Sequence, residues 1–342
     1  MNTSGSFEPE GRGGLVDSFG RVHRDLRISL TDKCSLRCTY CMPAEGVPWI
    51  PKKSVLTPDE IERVVRVAAS EGIQSVRLTG GEPLISPNLI EIVRRLTSIE
   101  GPQGPVEVAM TTNGIRLPEF IPGLEEAGLS RLNVSIDTLD PDRFLELTRR
   151  DRLIDVLAGI EAARRSALRP LKLNAVVMRG VNEDEVTDLV DFAIEHEAQM
   201  RFIEHMPLDI GHTWDRGEMV PREEILGALS KKYELTPVPG RAGAPAELFS
   251  IDGGPHAVGV IASVTAPFCA NCDRLRLTAD GQIRNCLFAR EELDLRLALR
   301  NGSGDEAIRE ILRASVAGKR AGHGIDSPDF VQPERGMNAI GG

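Results

Sequence analysis

The sequence predicts an α/β fold, a partial (β/α) barrel followed by a smaller C-terminal segment, on three observations. Short apolar strand-like runs alternate with amphipathic helical stretches in at least five βα units, a series that builds a parallel sheet with helices outside. Beyond about Pro221 this rhythm gives way to short β-like runs and sparse Gly/Ser stretches. All six cysteines fall into two triplets, one in each part. The expected division is a disordered tail over 1–15, the barrel over 16–235 and the C-terminal segment over 236–342.

The elements follow in order. A strand from Leu26 to Leu30 leads into the first cysteines. Thr57-Pro58-Asp59-Glu60 has the spacing of a capping box, with proline at the first helical position. Ile61, Val64, Val65, Ala68 and Ala69 then recur at helical spacing, and Gly72 ends the helix. Ser75 to Thr79 is a strand. The pattern repeats with a strand over Val106 to Met110 and a helix over Pro118 to Ala127. It repeats again with a strand over Leu132 to Ile136 and a helix after Asp140-Pro141. Strands at Leu171 to Val177 and Arg201 to Glu204 flank a helix expected to be capped at Asn182 and to run to about Glu195. A helix to about Lys232, β-like runs at Glu247 to Ile251 and Val258 to Val264, and a helix from Glu306 to Ala317 complete the chain. Functional loops are expected at the C-terminal ends of the strands.

With 41% apolar residues the 342-residue chain can build a sizeable core. Its net charge of −10 provides no general basic field for nucleic acid or an anionic membrane. An anionic ligand must therefore be met by a local group of Arg and Lys. The polar start, Met1 to Ser6, has no signal-peptide pattern, and no run reaches the length of a membrane span. A cytoplasmic protein is expected, in which grouped cysteines signal metal or catalysis and not disulfides.

The triplets are Cys34-x3-Cys38-x2-Cys41 and Cys269-x2-Cys272-x13-Cys286. Structural zinc takes four closed ligands, and a 4Fe–4S cluster normally takes four cysteines. Three cysteines suggest a cluster with one iron left open for a ligand that is not cysteine. The alternative is a zinc knuckle closed by a histidine such as His23, although no histidine stands at a short ligand spacing. Gly80-Gly81-Glu82-Pro83, after the second strand, gives backbone without Cβ that a ligand can approach closely. Arg274 and Arg276 are spaced as on one face of a strand and are flanked by cysteines. Guanidinium groups so placed suit phosphate, although two arginines in a loop also describe a solvated face.

Cys34-Ser-Leu-Arg-Cys38-Thr-Tyr-Cys41, with Tyr40 directly before the third cysteine, resembles the radical S-adenosylmethionine superfamily. Thr79-Gly-Gly-Glu-Pro83, Thr111-Thr-Asn-Gly114, Asn133-Val-Ser-Ile-Asp137 and Arg201-Phe-Ile-Glu204 narrow the resemblance further, with the second triplet and the terminal Gly-Gly. Over roughly Asp17 to Gly342 the chain resembles the GTP 3′,8-cyclase family of molybdenum cofactor biosynthesis.

The resemblance implies a barrel of the radical S-adenosylmethionine type whose C-terminal segment carries a second 4Fe–4S cluster. It implies that Cys34, Cys38 and Cys41 hold the cluster that cleaves S-adenosylmethionine, and that Cys269, Cys272 and Cys286 hold a cluster contacting GTP. Tyr40, Gly81, Ser135 and Met206 match positions that contact S-adenosylmethionine. Arg27, Arg77, Thr111, Lys172, Arg274 and Arg276 match positions that contact GTP. Read by pattern alone, Lys172 is an exposed strand residue and Met206 a core methionine or a hydrophobic loop anchor. The terminal Gly341 and Gly342, by default a frayed end, are implied to reach the active site and to be needed for turnover.

The implied reaction converts GTP to 3′,8-cyclo-7,8-dihydro-GTP. An electron donor and a downstream cyclic pyranopterin monophosphate synthase are the implied partners, and a homodimer is allowed for. Two rival readings stand beside it: a peptide-modifying radical S-adenosylmethionine protein with an auxiliary cluster, and a non-catalytic electron carrier or iron–sulfur sensor.

Overall fold

A computed structural model describes residues 14–241 and 243–341. The barrel half runs β1 (Asp25–Ser29), α1 (Pro58–Ser70), β2 (Ser75–Thr79) and α2 (Leu89–Thr97). A two-stranded ribbon, β3 (Glu100–Gly101) and β4 (Gly104–Pro105), precedes β5 (Glu107–Thr112), α3 (Leu117–Glu126) and β6 (Arg131–Ser135). Next come α4 (Pro141–Thr148), α5 (Leu153–Arg164), β7 (Lys172–Val177), α6 (Val186–Glu195) and β8 (Gln199–Glu204). The remainder holds α7 (Arg222–Leu229), β9 (Leu235–Val238), β10 (Glu247–Ile251), β11 (Ala257–Ile261), β12 (Arg274–Leu277), β13 (Gln282–Arg284) and β14 (Leu293–Asp294). Helices α8 (Leu295–Arg300), α9 (Asp305–Ala317) and α10 (Met337–Ile340) end it.

Twelve strands form one sheet in the order β14-β13-β12-β1-β2-β5-β6-β7-β8-β11-β10-β9. The stretch from β12 to β11 is parallel throughout. The order is linear, as expected for a partial barrel. The C-terminal residues are built into both sides of this sheet: β12 pairs with β1 and β11 with β8. No helix among the described residues is long and apolar enough to cross a membrane.

Strand alternation divides the sheet into two chemically distinct faces, because successive side chains point to opposite sides. Leu26, Ile28, Val76, Leu78, Val108, Met110, Leu132, Val134, Leu173 and Phe202 are fully buried. They share one core with Val64, Val93, Val156 and Val190 of the covering helices. The opposite parity carries Arg27, Arg77, Thr111, Asn133, Lys172 and Arg201, so the inner face is polar. The functional site lies on that face.

Local signals behave as their chemistry requires. In the capping box of α1, Glu60 N–H donates to Thr57 Oγ1 at 3.2 Å and Thr57 N–H donates to the Glu60 carboxylate at 2.8 Å. Asp140 caps α4 by accepting from Arg143 N–H at 2.9 Å. The expected cap at Asn182 is corrected. A short 3-10 turn over Glu183–Glu185 intervenes, and α6 starts at Val186. Asn182 is buried, and its amide donates instead to the carbonyls of Asp137 and Val176, at 2.8 and 2.9 Å. Of the expected tail over 1–15, residues 1–13 lie outside the described residues. Leu15 is buried, and its N–H donates to Glu71 O at 3.2 Å.

Candidate active site

The first triplet occupies the loop after β1, and the loop's shape comes from its neighbours. Gly81 N–H donates to Thr31 O at 2.7 Å and Glu82 N–H to Lys33 O at 2.8 Å. These bonds press the two glycines flat against the cysteine loop. Gly80 has φ +133°, and a Cβ at Gly80 or Gly81 would overlap the carbonyls of Thr31 or Lys33. The Gly-Gly pair is thus demanded by backbone-to-backbone packing under the cysteines.

Glu82, buried, accepts from Leu84 N–H, Thr112 Oγ1 and Asn113 N–H at 2.9, 2.6 and 2.7 Å. Burial pushes its carboxyl up to about 7 against those three donors. The Asn113 amide in turn donates to Ser35 Oγ at 2.9 Å and lies 3.8 Å from Cys34 Sγ. Glu82 therefore locks the Thr-Thr-Asn-Gly turn to the cysteine loop, a role that the sequence reading missed.

Gly81→Ala should displace this loop, since a side chain driven into backbone costs about 1–3 kcal/mol or more. Reconstituted variant should carry about half the wild-type iron, one 4Fe–4S cluster in place of two. A full complement of iron would show that the loop tolerates the methyl group.

All three thiols of this loop are free and partly buried. Burial pushes Cys34 up to about 11 and Cys41 to about 12, and Cys38 also upward. Buried thiols in this state ionise only against a metal's charge, and soft sulfur donors suit iron–sulfur clusters. His23, the alternative zinc ligand, is buried elsewhere. Its Nδ1 lies 3.2 Å from Leu15 O and its Nε2 3.9 Å from the Asp17 carboxylate.

Beside the first triplet, Tyr40 donates its hydroxyl proton to Asp137 at 2.6 Å, and Asp137 also accepts from Val176 N–H at 2.9 Å. Burial pushes the Asp137 carboxyl up to about 6. The phenol is thereby fixed, and its ring faces His205 with centroids 6.3 Å apart. Tyr40, Met178, His205 and Trp214 line a cavity of about 220 Å³. Met206 packs on a small apolar cluster with Leu208, Met219 and Val264. Ser135 ends β6 opposite Asn174 of β7.

The inner face collects cations by register. Arg27 stands opposite both Arg77 and Arg276, and Asn133 opposite both Thr111 and Lys172, while Asn174 faces Arg201. Few of these groups have partners. Arg27 Nε, Arg77 Nη1, Arg274 Nε and Nη2, Asn133 Oδ1 and Asn174 Oδ1 are buried without a hydrogen bond. Among the described residues, the one carboxylate within 4 Å of Arg27 is that of Asp25, at 3.8 Å.

Burial, with Arg274 and Arg276 beside it, holds Arg27 well below the usual arginine range. Burial draws Lys172 down to about 7, helped by Arg201, Arg131 and Arg77. Unpaired buried charge of one sign is costly and prepares the face for a polyanion. Arg131 and Asn174 were not picked out from the sequence, and Asn133 and Arg201 only as members of motifs, with no role in the site. Their parity with Lys172 and Arg77 along each strand was the available signal.

The second triplet adjoins the same face because β12 carries Arg274 and Arg276 directly after Cys272 and pairs with β1. Cys269, Cys272 and Cys286 line a cavity of about 670 Å³ with Arg21, Lys319 and His323. Arg21 braces its wall, donating to Cys269 O at 2.7 Å, Arg320 O at 2.7 Å and Ala321 O at 3.1 Å. Glu204, fully buried at the end of β8, accepts from Arg222 N–H, Val264 N–H and Thr265 N–H at 2.8, 2.8 and 2.9 Å. It thus anchors the segment that leads into the triplet.

The C-terminal helix α10 enters between the two triplets. Asn338 donates to Asp32 O at 3.1 Å, and Arg276 donates to Gly341 O. Gly341 has φ +73°, and a Cβ there would strike Ser29 and Thr79. Gly342 lies outside the described residues.

A parallel sheet with covering helices and a three-cysteine loop after its first strand defines a radical S-adenosylmethionine protein. Residues 28–193 match the Radical SAM superfamily, and residues 198–325 match Molybdenum Cofactor Synthesis C. The chain is 55% identical to a GTP 3′,8-cyclase of Streptomyces coelicolor, over 98% of this chain and 99% of that one. It is 50% identical to a GTP 3′,8-cyclase of Corynebacterium glutamicum, over 97% and 90% of the two chains. The chain belongs to the GTP 3′,8-cyclase family. In fold it also resembles Streptococcus suis SuiB bound to S-adenosylmethionine, with TM-score 0.59 at 15% identity over 88% of this chain and 68% of that one.

Proposed function

We infer that the chain is an S-adenosylmethionine-dependent radical enzyme that converts GTP to 3′,8-cyclo-7,8-dihydro-GTP, the first step of molybdenum cofactor biosynthesis. One observation carries the reading: half-buried and buried cations, several of whose nitrogens lack a hydrogen bond, line the inner face where the strand after the second cysteine pair lies beside β1. Cys34, Cys38 and Cys41 would hold a 4Fe–4S cluster, which with S-adenosylmethionine would supply radical chemistry at C3′ of the ribose.

The chain's own residues bind, orient and shield. Arg27, Arg77, Lys172, Arg274 and Arg276 meet the triphosphate, whose negative charge offsets their mutual repulsion. Asn133 and Thr111 offer polar groups one and two strands away from Lys172 in the same register. Tyr40, Gly81, Ser135 and Met206 lie on the S-adenosylmethionine side. Gly341, held by Arg276, closes the mouth, and Gly342, the next residue in the sequence, is proposed with it as needed for turnover. Fixing the reacting atoms and excluding water are the protein's contributions to rate.

Lys172 gives this reading a pH signature. Its ammonium, lowered to about 7, is charged below that pH and loses its charge above it. Wild-type affinity for GTP should therefore fall from pH 6 to pH 8 relative to Lys172→Arg, in which the charge persists. Calorimetric titration of both proteins across that range checks this. Parallel profiles would remove Lys172 from the triphosphate site.

The decisive experiment is anaerobic turnover with GTP deuterated at C3′, read by mass spectrometry of the 5′-deoxyadenosine. Gain of one deuterium is expected. Unlabelled 5′-deoxyadenosine, formed at a rate indifferent to GTP, would mean another substrate. The same reading places the enzyme in the cytoplasm with an electron donor, ahead of a cyclic pyranopterin monophosphate synthase, and admits a homodimer. Support for these comes from the reaction's need for electrons and from its product.

A further inference from the structure

Lys319 follows α9 and Gly318, and its side chain is buried beside the second triplet. Its Nζ donates to Arg274 O at 2.8 Å and to Cys272 Sγ at 3.5 Å. These are its only side-chain hydrogen bonds among the described residues, and neither partner is a carboxylate. The nearby guanidinium of Arg21 is also cationic and is already paired with Asp17 at 2.6 Å. A buried ammonium with no carboxylate at salt-bridge distance among the described residues is disfavoured. It lines the cavity of about 670 Å³ into which Cys269, Cys272 and Cys286 open.

We propose that Lys319 is the counter-charge of the second cluster and sets its reduction potential. The inference rests on the reading that this triplet holds a 4Fe–4S cluster. Thiolate-bound clusters are anionic, and their potentials follow net charge, hydrogen bonds to sulfur and solvent exposure. A buried ammonium bonded to the Cys272 sulfur stabilises the more negative, reduced state over the oxidised one, so it raises the potential. The same ammonium grips the carbonyl of Arg274, the first residue of β12. Cluster loop and substrate-facing strand are thereby tied at one point, two residues from Arg276. Neither triplet spacing nor the arginine pair reveals this, because Lys319 is 47 residues away from Cys272.

The test uses the full-length chain carrying Cys34→Ser, Cys38→Ser and Cys41→Ser, so that only the second cluster reports. Iron is counted first. Absence of iron, before any change at Lys319, would overturn the cluster reading and the proposal with it. With iron present, the midpoint potential is measured by EPR-monitored redox titration for Lys319, Lys319→Gln and Lys319→Arg.

Lys319→Gln keeps an N–H donor and loses the charge. Its reduced-to-oxidised ratio at a fixed poise should fall by about tenfold, about 59 mV for one electron. Lys319→Arg should keep the original value. Loss of the cluster in Lys319→Gln alone, with Lys319→Arg loaded and unshifted, would also support a counter-charge. Unchanged potentials at full iron in both variants would overturn it. So would equal loss of iron from both, which would make the side chain's shape the requirement.

Discussion

Cys38→Ser should abolish cleavage of S-adenosylmethionine outright while leaving the second cluster in place. Cys38 stands at the centre of the first triplet, and its backbone carbonyl accepts from the N–H groups of Cys41 and Met42 at 3.0 and 3.1 Å. The loop around it is braced independently: Arg149 donates to Arg37 O at 2.9 Å and to Met42 O at 3.0 Å. Serine should keep that backbone and lose only the soft donor that iron requires. Three thiolates are already one short of the usual four, so loss of another leaves two. Iron should fall to about half, and 5′-deoxyadenosine should be undetectable by chromatography. Ordinary cleavage in this variant would refute the assignment of the first cluster.

Arg276→Ala is the second large effect expected. Arg276 is nearly fully buried, faces Arg27 across the β1–β12 ladder, and donates to Gly341 O. One guanidinium therefore serves the inner cationic face and the C-terminal tail together. Hydrogen bonds to charged groups contribute about 1.5–3 kcal/mol each, and losing one or two predicts a fall in kcat/KM for GTP of at least tenfold to a hundredfold. Uncoupled 5′-deoxyadenosine formation should persist, because the first triplet is untouched. Arg276→Lys should recover only part of the loss, since an ammonium lacks the planar fork of donors. GTP kinetics equal to wild type would remove Arg276 from the site.

Both predictions start from residues that could be singled out in the sequence, although for different reasons. The cysteine triplets and the Gly-Gly-Glu-Pro turn are local: their chemistry is set by spacing along a few residues. The reason for the two glycines was not local, since it lies in the carbonyls of Thr31 and Lys33 across the β1–β2 loops. The roles of Glu82, Glu204 and Asn182 escaped notice because a polar residue in sequence does not show that its partners are distant backbone groups. Asn182 in particular has the residue type of a helix cap, yet its amide is used up by Asp137 and Val176.

The sequence by itself determined the βα rhythm, the two cysteine centres, the capping of α1 and α4, and the pairing of Arg274 with Arg276 on one strand face. These depend on periodicity and on contacts within a few residues. Only the tertiary structure decided that the strand after Cys272 lies beside the strand that leads to Cys34. Residues 274–277 pair with 25–28, some 250 residues earlier in the chain, and that register brings Arg276 against Arg27, which has Arg77 on its other side. It also decided that Lys172, Asn174 and Arg201 face inward with them and that Lys319 meets Cys272. Parity along a strand says which residues share a face, but hydrogen-bond register between distant strands says which of those faces meet.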